Sequence, residues 1–199
     1  MQLKLSAQEA EAVAVFDNRA RAEVIDDTPL WVDRFSQCIF WDLPGSGLVV
    51  DIGCGTGRAV GMLHGLGIEK YLGIDPSADS IALCRRYYPD LDFAVGSIQT
   101  LGEDYKEQFS GFLLITTLMH VPRKNLKQAL TSLRASLITG AQGMISVPTG
   151  PELTWRNKFG MTITLYTIAE MEKQLPAHGL SIRQLTIGGH MLKIHVQAT

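Results

Sequence analysis

The chain has 199 residues, of which 46% are hydrophobic and 19% are charged. This length and composition fit one globular domain that can bury a sizeable core. The formal net charge is -2, and lysine and arginine are spread along the chain rather than gathered into a basic stripe. Because binding to a phosphate backbone depends on such a stripe, we do not expect a nucleic-acid partner.

Cysteine usage and hydropathy bear on the cellular compartment. The three cysteines, at positions 38, 54 and 84, form no CxxC pair and have no histidine at ligand spacing. Neither a metal site nor a disulfide framework is therefore predicted. The longest apolar stretch, residues 112–119, falls short of the ~20 residues that a membrane-spanning helix needs. We expect a cytoplasmic protein without a membrane segment.

The first part of the chain alternates predicted strands with predicted helices. Residues 48–52 (LVVDI) are nearly all apolar, as in a parallel strand that is covered on both faces. A glycine-rich turn follows, and apolar residues then recur at helical spacing over 59–66. Residues 71–75 (YLGID) are the second predicted strand, and Ser77 is placed to cap a helix that ends at Pro89.

The alternation continues through the middle of the chain. Strands are predicted at residues 91–95, 111–116 and 143–147. A short helix is predicted within 98–108. Another helix begins at Pro122, where proline suits the first turn, and it carries leucines at helical spacing.

The end of the chain has a different pattern. Thr167 and Glu170 have the spacing of a capping box, and they open a helix that Gly179 ends. Two β-like runs then lie on either side of Gly188-Gly189, which predicts a hairpin. The whole chain therefore indicates an α/β protein, with five strands of the βα type, a helix and an antiparallel terminal pair.

The glycine-rich turn GCGTG at 53–57 predicts a nucleotide-binding loop. In dinucleotide-binding folds this loop reads GxGxxG, whereas here Arg58 stands at the third glycine position. Asp51 places a carboxylate just before the loop, which suits a cofactor with an ammonium and a sulfonium and would repel a pyrophosphate. Asp75 ends the second strand, where a carboxylate can accept hydrogen bonds from ribose hydroxyls. Since both classes of cofactor contain ribose, Asp75 does not distinguish them.

Taken together, these segments resemble a known family. VVDIGCGTGR is followed by YLGIDPS, VGSI, SGFLLITTLMHVP and LRASLITGAQGMISV, in the order and spacing of the class I S-adenosylmethionine-dependent methyltransferases. The resemblance implies a Rossmann-like three-layer α/β/α sandwich. Its seven-stranded, mostly parallel sheet has the order 3-2-1-4-5-7-6 and an antiparallel last strand. The resemblance also implies S-adenosylmethionine as the cofactor, with S-adenosylhomocysteine as its product.

The same resemblance implies one methyltransferase domain over residues 1–199. Within it, residues 1–45 are expected to form N-terminal cap helices, and residues 46–148 the cofactor-binding core. Residues 149–166 are expected to be an insertion on the acceptor side, and residues 167–199 the terminal helix and hairpin.

Roles in cofactor binding carry over from the family position by position. The glycine loop is expected to border the methionine portion, with Asp51 near its ammonium, while Asp75 takes the ribose and Pro76 lies against the adenine. In this family an acid usually stands at the place of Ser97 and reads the adenine amino group. The cofactor-binding residues implied in this way are Arg19, Asp51, Gly53, Cys54, Gly55, Asp75, Pro76, Ser97, Ile98, Ile115 and His120.

Two of these residues carry specific alternatives. Arg19 or Arg21, in the segment FDNRARAEV, is placed to reach the methionine carboxylate. His120 matches the histidine of the family's LxHV pattern and is the candidate catalytic residue. An unperturbed histidine pKa of about 6.5 allows it to act as a general base near neutrality. The alternative for His120 is a positioning role, with the imidazole bonded to backbone or cofactor.

The aromatic residues bear on the methyl acceptor. All three tryptophans lie in the two segments that, in this family, cover the cofactor pocket and shape the acceptor site. An apolar or aromatic small molecule as acceptor explains this placement, with Arg156 or Lys158 meeting an anionic part. Packing of the cap onto the core explains it equally well. The candidate acceptor contacts are Trp31, Trp155, Arg156 and Tyr166.

The predicted function is methyl transfer from S-adenosylmethionine to a small molecule. Residues 114–117 read LITT rather than the DPPY or NPPY of enzymes that methylate adenine or amide nitrogens. A nicotinamide-dependent oxidoreductase is one alternative, against which Arg58 and the terminal hairpin weigh. A non-catalytic protein that binds the cofactor or a partner through the same pocket is another.

Overall fold

The computed structural model describes residue 3 and residues 5–23, 47–150 and 154–199. Its helices are α1 (Ala7–Arg21), α2 (Val60–Gly65), α3 (Ala78–Tyr87), α4 (Leu101–Asp104), α5 (Leu126–Ser136) and α6 (Ile168–Ala177). Its strands are β1 (Val49–Ile52), β2 (Tyr71–Asp75), β3 (Asp92–Val95), β4 (Phe109–Ile115), β5 (Leu137–Pro148), β6 (Thr154–Arg156), β7 (Thr162–Thr164), β8 (Leu180–Gly188) and β9 (Met191–Ala198). No helix in these ranges is both long and apolar enough to cross a membrane.

Seven of the strands form one sheet of order β3-β2-β1-β4-β5-β9-β8. The strands from β3 to β5 in this order are parallel, whereas β9 runs antiparallel to both β5 and β8. The predicted strand order and the antiparallel end of the sheet are confirmed. The direction in which strands are added reverses between β1 and β4, and such a reversal leaves a crevice outside the carboxyl ends of the strands.

Both faces of the sheet are covered, because successive side chains of a strand point to opposite faces. On one face, Val50 of β1 belongs to a core that includes Leu130 of α5 and Leu175 of α6. On the other face, Val49 belongs to a core with Leu63 of α2 and Cys84 of α3. This confirms the three-layer sandwich and explains the nearly continuous apolar run of the first strand.

The helix starts follow the predicted caps with one correction. The Ser77 hydroxyl accepts a hydrogen bond from Ser80 N at 3.0 Å, and the Thr167 hydroxyl accepts one from Glu170 N at 3.1 Å. The predicted capping box at α6 is therefore only half formed, because the Glu170 carboxylate pairs with Arg123 instead. A complete capping box begins α1, where Ser6 and Glu9 hold each other's backbone amides.

The end of the chain also departs from the predicted boundaries. β5 is longer than the predicted 143–147, because it begins directly after α5 and includes an irregular register against β4. In the terminal hairpin Gly188 pairs with Met191, so the turn is Gly189-His190 rather than Gly188-Gly189. The hairpin of β6 and β7 lies within the predicted insertion and was not anticipated as a pair of strands.

Helix α1 and the β6–β7 hairpin pack together over the carboxyl ends of the sheet strands. Ala12 of α1 shares a small apolar cluster with Met161 and Ile163. The Gln8 side-chain amide donates to Met119 O at 3.1 Å and to the Thr164 hydroxyl at 3.0 Å. These two elements, defined here as the cap, thus roof the crevice that the sheet topology creates.

Substitution by alanine is expected to change the stability of the fold differently at two glycines, one in β5 and one in α2. A Cβ at Gly143 in β5 would lie 2.4 Å from the Phe112 carbonyl oxygen, whereas a Cβ at Gly61 in α2 meets nothing within 4 Å. We expect Gly143→Ala to lower the free energy of unfolding by about 1–3 kcal/mol through overpacking. Gly61→Ala is the control, and it should leave stability unchanged or raise it by up to ~1 kcal/mol. Urea unfolding measures both, and equal midpoints would contradict the described strand contact.

Candidate active site

A cavity of about 320 Å³ lies at the carboxyl ends of β1, β2 and β4, beneath the cap. Its volume is in the range of small-molecule sites. The floor comes from the glycine loop and the turns after the strands, and the roof from α1 and the β6–β7 hairpin. The residues with predicted cofactor roles that line it are Arg19, Gly53, Cys54, Gly55, Asp75, Pro76, Ser97, Ile98, Ile115 and His120.

The glycine loop is tied to the end of the neighbouring strand. Gly53 N and Cys54 N both donate to Ile74 O, at 2.7 and 3.1 Å, and Gly55 N donates to Asp75 Oδ2 at 2.9 Å. Gly55 has a φ of 56°, and a Cβ placed there would meet no atom within 4 Å. The left-handed backbone and the open space above it leave room for a ligand to approach the main chain.

Asp75 presents a fixed carboxylate to the cavity. Its Oδ1 accepts from Ser77 N at 2.8 Å, while its Oδ2 accepts from Gly55 N. Burial raises the pKa of Asp75 to about 6, against the lowering effect of these two hydrogen bonds. Each carboxylate oxygen can accept more than one hydrogen bond, so both retain capacity for hydroxyl donors.

Asp51 lies beneath the loop rather than on the cavity wall. It is 3% exposed, and its Oδ2 accepts from the Tyr71 hydroxyl at 3.2 Å. Burial raises the pKa of Asp51 to about 6, and the nearby Arg58 guanidinium and the Tyr71 hydrogen bond oppose this rise. Asp51 is not among the lining residues, so its contact with a ligand ammonium stays a prediction.

His120 occupies a short 3₁₀ turn, Leu118–His120, directly after β4. Its ring packs edge-on against Phe16, with centroids 5.7 Å apart. Burial, assisted by the positive charge of Arg58, lowers the pKa of His120 to about 4. The buried Nδ1 has no hydrogen-bond partner among the described residues. The imidazole is therefore neutral at pH 7 and a weak base, which favours the positioning role over general-base catalysis.

The two arginines proposed for the methionine carboxylate are separated by the structure. Arg19 lines the cavity, with its guanidinium 6.0 Å from the centroid of the Phe16 ring. Arg21 instead forms an ion pair with Asp79 in the first turn of α3, at 2.6 Å. Arg19 is thus the one that α1 brings to the site.

Of the four predicted acceptor contacts, the three that the structure describes do not line the cavity. Trp31 lies outside the described residues, and Trp155 is 55% exposed and does not line the cavity. Arg156 Nη1 lies 3.6 Å from Glu11 Oε1, and Arg156 does not line the cavity either. The prediction for Tyr166 is wrong, because its side chain is fully buried in the core and its hydroxyl donates to Leu118 O at 3.2 Å.

The cavity is also lined by residues to which the sequence motifs assigned no role. The hairpin contributes Phe159 and Met161, and α1 and the turn after β4 contribute Phe16 and Met119. The only sequence signal for Phe16, Phe159 and Met161 was their place in the two capping segments, whereas Met119 lies in the motif SGFLLITTLMHVP. The polar and charged lining residues without a predicted role are Glu9, Thr56, Arg58, Gln99, Thr116, Thr117 and Asn157.

Residues 49–140 match the family model described as a methyltransferase domain. The match confirms the resemblance to methyltransferases over this segment, which contains the glycine loop, Asp75 and the turn after β4. No curated protein matches the chain.

Solved structures share the fold of this methyltransferase domain. The chain is similar to the 1,6-didemethyltoxoflavin-N1-methyltransferase of Burkholderia thailandensis, with a TM-score of 0.69 and 19% identity over 100% of this chain and 93% of that chain. It is similar to DhpI in a DhpI-SAM-HEP complex, with a TM-score of 0.75 and 19% identity over 98% and 100%. An S-adenosylmethionine-dependent methyltransferase from Mesorhizobium loti gives a TM-score of 0.67 at 13% identity, over 88% and 99%.

Burial of the Asp51 carboxyl beneath the glycine loop predicts that the free energy of unfolding depends on pH. Asp51 titrates at about 6 in the folded chain against an ordinary value of 3.8, so its charged form destabilises the fold above pH 6. That cost shrinks as the pH falls below 6 and is absent below 3.8, where the carboxyl is protonated in both the folded and the unfolded state. We expect Asp51→Asn to raise the free energy of unfolding at pH 7.5 by up to about 3 kcal/mol.

The gain should shrink as the pH is lowered from 6 towards 4, and urea unfolding at several pH values measures it. Asp90→Asn changes an exposed carboxyl in the turn before β3 and is the matched control. A gain for Asp51→Asn that does not depend on pH would contradict the burial of a charged carboxylate at this position.

Proposed function

We propose that the chain is an S-adenosylmethionine-dependent methyltransferase that acts on a small molecule. The observation that carries this proposal is the Asp75 carboxylate, which is fixed beside the glycine loop on the wall of the cavity. The Burkholderia thailandensis enzyme was solved with bound S-adenosylhomocysteine, and DhpI was solved in a complex with SAM. These neighbours support the same cofactor here. We further propose that the whole chain is one methyltransferase domain acting in the cytoplasm.

The residues present fit this cofactor. In our proposal Asp75 accepts hydrogen bonds from the ribose hydroxyls, and the open space over Gly55 admits the methionine portion. Arg19 holds the methionine carboxylate, and the carboxyls of Asp75 and Asp51 complement its positive groups. Pro76, Ser97 and Ile98 border the adenine, on the same cavity wall.

The bound cofactor supplies a methyl group on a sulfonium, from which a neutral thioether leaves. No acid is needed for such a leaving group, so the chain's main contribution is alignment of the acceptor, which can be worth ~7–11 kcal/mol. The neutral His120, which lines the cavity, orients the acceptor, and the cap covers the bound molecule.

The aromatic and thioether side chains that line the cavity bear on the class of acceptor. Phe16, Met119, Phe159 and Met161 present aromatic and thioether side chains to the cavity. These groups favour an uncharged, apolar or aromatic molecule. The Burkholderia thailandensis enzyme likewise binds a small molecule, 1,6-didemethyltoxoflavin, together with S-adenosylhomocysteine. We therefore propose an aromatic or otherwise apolar small molecule as acceptor.

Cofactor binding tests the proposal first. We expect S-adenosylhomocysteine, but not NADH, to bind the purified chain in calorimetric titration. Asp75→Ala should weaken this binding at least tenfold, about 1.4 kcal/mol, because the ribose loses its acceptor. Asp104→Ala, an exposed acid in α4, is the matched control. Tight NADH binding without a response to S-adenosylhomocysteine would contradict the function, and unchanged affinity in Asp75→Ala would contradict the ribose contact.

Turnover tests the role of His120. An acceptor is sought by incubating the chain and S-adenosylmethionine with metabolite extracts and measuring release of S-adenosylhomocysteine. With that acceptor, His120→Ala should lower kcat more than it lowers cofactor affinity, and His120→Asn should restore part of the loss. Because the pKa of His120 is about 4, kcat should not depend on His120 ionisation between pH 6 and 8. A step in kcat near pH 6.5 that disappears in His120→Asn would instead show a general base.

Binding of the cofactor without release of S-adenosylhomocysteine from any extract would favour the non-catalytic alternative. The two measurements therefore separate cofactor recognition from catalysis.

A further inference from the structure

Helix α1 contacts the hairpin of the cap on one side and α3 on the other. The Glu11 carboxylate accepts hydrogen bonds from the Thr162 hydroxyl and backbone amide in β7, at 3.0 and 3.3 Å. Further along the helix, the Ser77 hydroxyl at the start of α3 donates to Asp17 Oδ1 at 2.5 Å. Asp17 therefore joins the second half of α1 to the turn that follows β2.

Two ion pairs also connect the end of α1 with α3. Arg21 Nε lies 2.6 Å from Asp79 Oδ2, and Arg86 Nη2 lies 2.7 Å from Glu23 Oε1. The four side chains are between 37% and 65% exposed, and exposed ion pairs contribute little to stability because water screens their attraction. The bond to Asp17 differs, because its donor residue is fully buried and its acceptor is a carboxylate, which strengthens a hydrogen bond.

The Ser77 hydroxyl has one proton, and its neighbours decide where that proton points. An ionised carboxylate can only accept, so the proton goes to Asp17, and the Ser80 hydroxyl, whose oxygen lies 2.8 Å away, donates to Ser77 in turn. Ser77 N donates to Asp75 Oδ1 at 2.8 Å. Ser77 thus connects Asp17 in the cap with Asp75, the acid proposed to bind the ribose.

The position of Arg19 depends on how the end of α1 is turned. Asp17 and Arg19 are two residues apart, so at about 3.6 residues per turn their side chains leave the helix axis in different directions. Asp17 bonds to the start of α3, while Arg19 lines the cavity. A rotation or shift of the helix end that broke the hydrogen bond between Asp17 and Ser77 would therefore also move Arg19 relative to the cavity.

We propose that Asp17 is a positioning residue for cofactor binding. Its hydrogen bond with Ser77 holds the end of α1 so that Arg19 meets the carboxylate of the methionine portion. The site thereby prefers adenosine compounds that carry an amino-acid carboxylate over those that lack it. This role of Asp17 rests on the proposed function, in which Arg19 binds that carboxylate.

Two ligands that differ only in this carboxylate test the role of Asp17. S-adenosylhomocysteine is compared in calorimetric titration with its decarboxylated analogue, in which hydrogen replaces the carboxylate and the ammonium is kept. The wild-type chain should bind S-adenosylhomocysteine at least about tenfold more tightly, about 1.4 kcal/mol. In Asp17→Ala this preference should fall below about threefold, about 0.65 kcal/mol. A merely structural role would weaken the binding of both ligands equally and leave the preference unchanged.

Four further variants serve as controls. Ser77→Ala removes the same hydrogen bond from the α3 side but keeps the backbone amide on Asp75, so it should reduce the preference equally. Asp17→Asn keeps a side-chain oxygen that can accept from the Ser77 hydroxyl, so it should retain the preference. Asn18→Ala shortens the next side chain of α1, which is exposed, and is the matched control. Arg19→Ala should remove the preference, and adding Asp17→Ala to it should cause no further change.

Melting temperatures check that each variant is folded, and Ser77→Ala carries the test if Asp17→Ala does not fold. An unchanged preference in the folded variants would overturn the role of Asp17 alone. Loss of the preference in Asp17→Asn but not in Ser77→Ala would overturn it too, because Asp17 would then act through its charge. A wild-type chain that binds both ligands equally would contradict the Arg19 contact and the role of Asp17, but not the cofactor. Failure to bind S-adenosylhomocysteine would overturn the proposed function and the role of Asp17 together.

Discussion

The site depends on the hydrogen bonds that tie the glycine loop to the end of β2. Three consecutive amides, of Gly53, Cys54 and Gly55, donate to the carbonyl of Ile74 and the carboxylate of Asp75. These bonds make the chain leave β1 in a left-handed turn instead of continuing the strand. The turn opens the crevice where the direction of strand addition reverses, and the same carboxylate that holds the loop faces the cavity.

The buried carboxylates at this site lower the stability of the folded state. Burial raises the pKa values of Asp75 and Asp51 to about 6, so both charged forms are disfavoured in the folded state at neutral pH. Backbone amides and the Arg58 charge offset part of this cost. A cofactor with positive groups and ribose hydroxyls would offset more of this cost, because it would give the buried carboxylates charged and hydrogen-bonding partners.

The cap is connected to the base of the site by a second set of contacts. Glu9 completes the capping box of α1 and also bonds the Gln99 amide, while the Ser77 hydroxyl at the start of α3 donates to Asp17 at 2.5 Å. Helix α1 is thus fixed at two points to the turns after β2 and β3. This explains why residues of α1, such as Phe16 and Arg19, take part in a cavity whose floor is built from the sheet.

Much of this arrangement could be predicted from sequence because it depends on local patterns. The apolar strands, the glycine loop and Asp75 are signalled by residues close together in the chain, and the strand order follows from the family resemblance of those segments. Contacts between distant segments were not accessible in this way. Tyr166 carries the same aromatic signal as Phe159, yet one is in the core and the other lines the cavity, because tertiary packing decides which face each presents. The partnership of Glu9 and Gln99 joins residues far apart in sequence and has no local signature.

The central claim is that Asp75 and the glycine loop together bind the ribose and methionine portions of S-adenosylmethionine. A crystal structure of the chain with S-adenosylhomocysteine tests it most directly. We expect ribose hydroxyl oxygens within about 3 Å of the Asp75 carboxylate, with the homocysteine chain over Gly55. S-adenosylhomocysteine bound with its ribose away from Asp75, or outside the cavity beneath the cap, would contradict this claim.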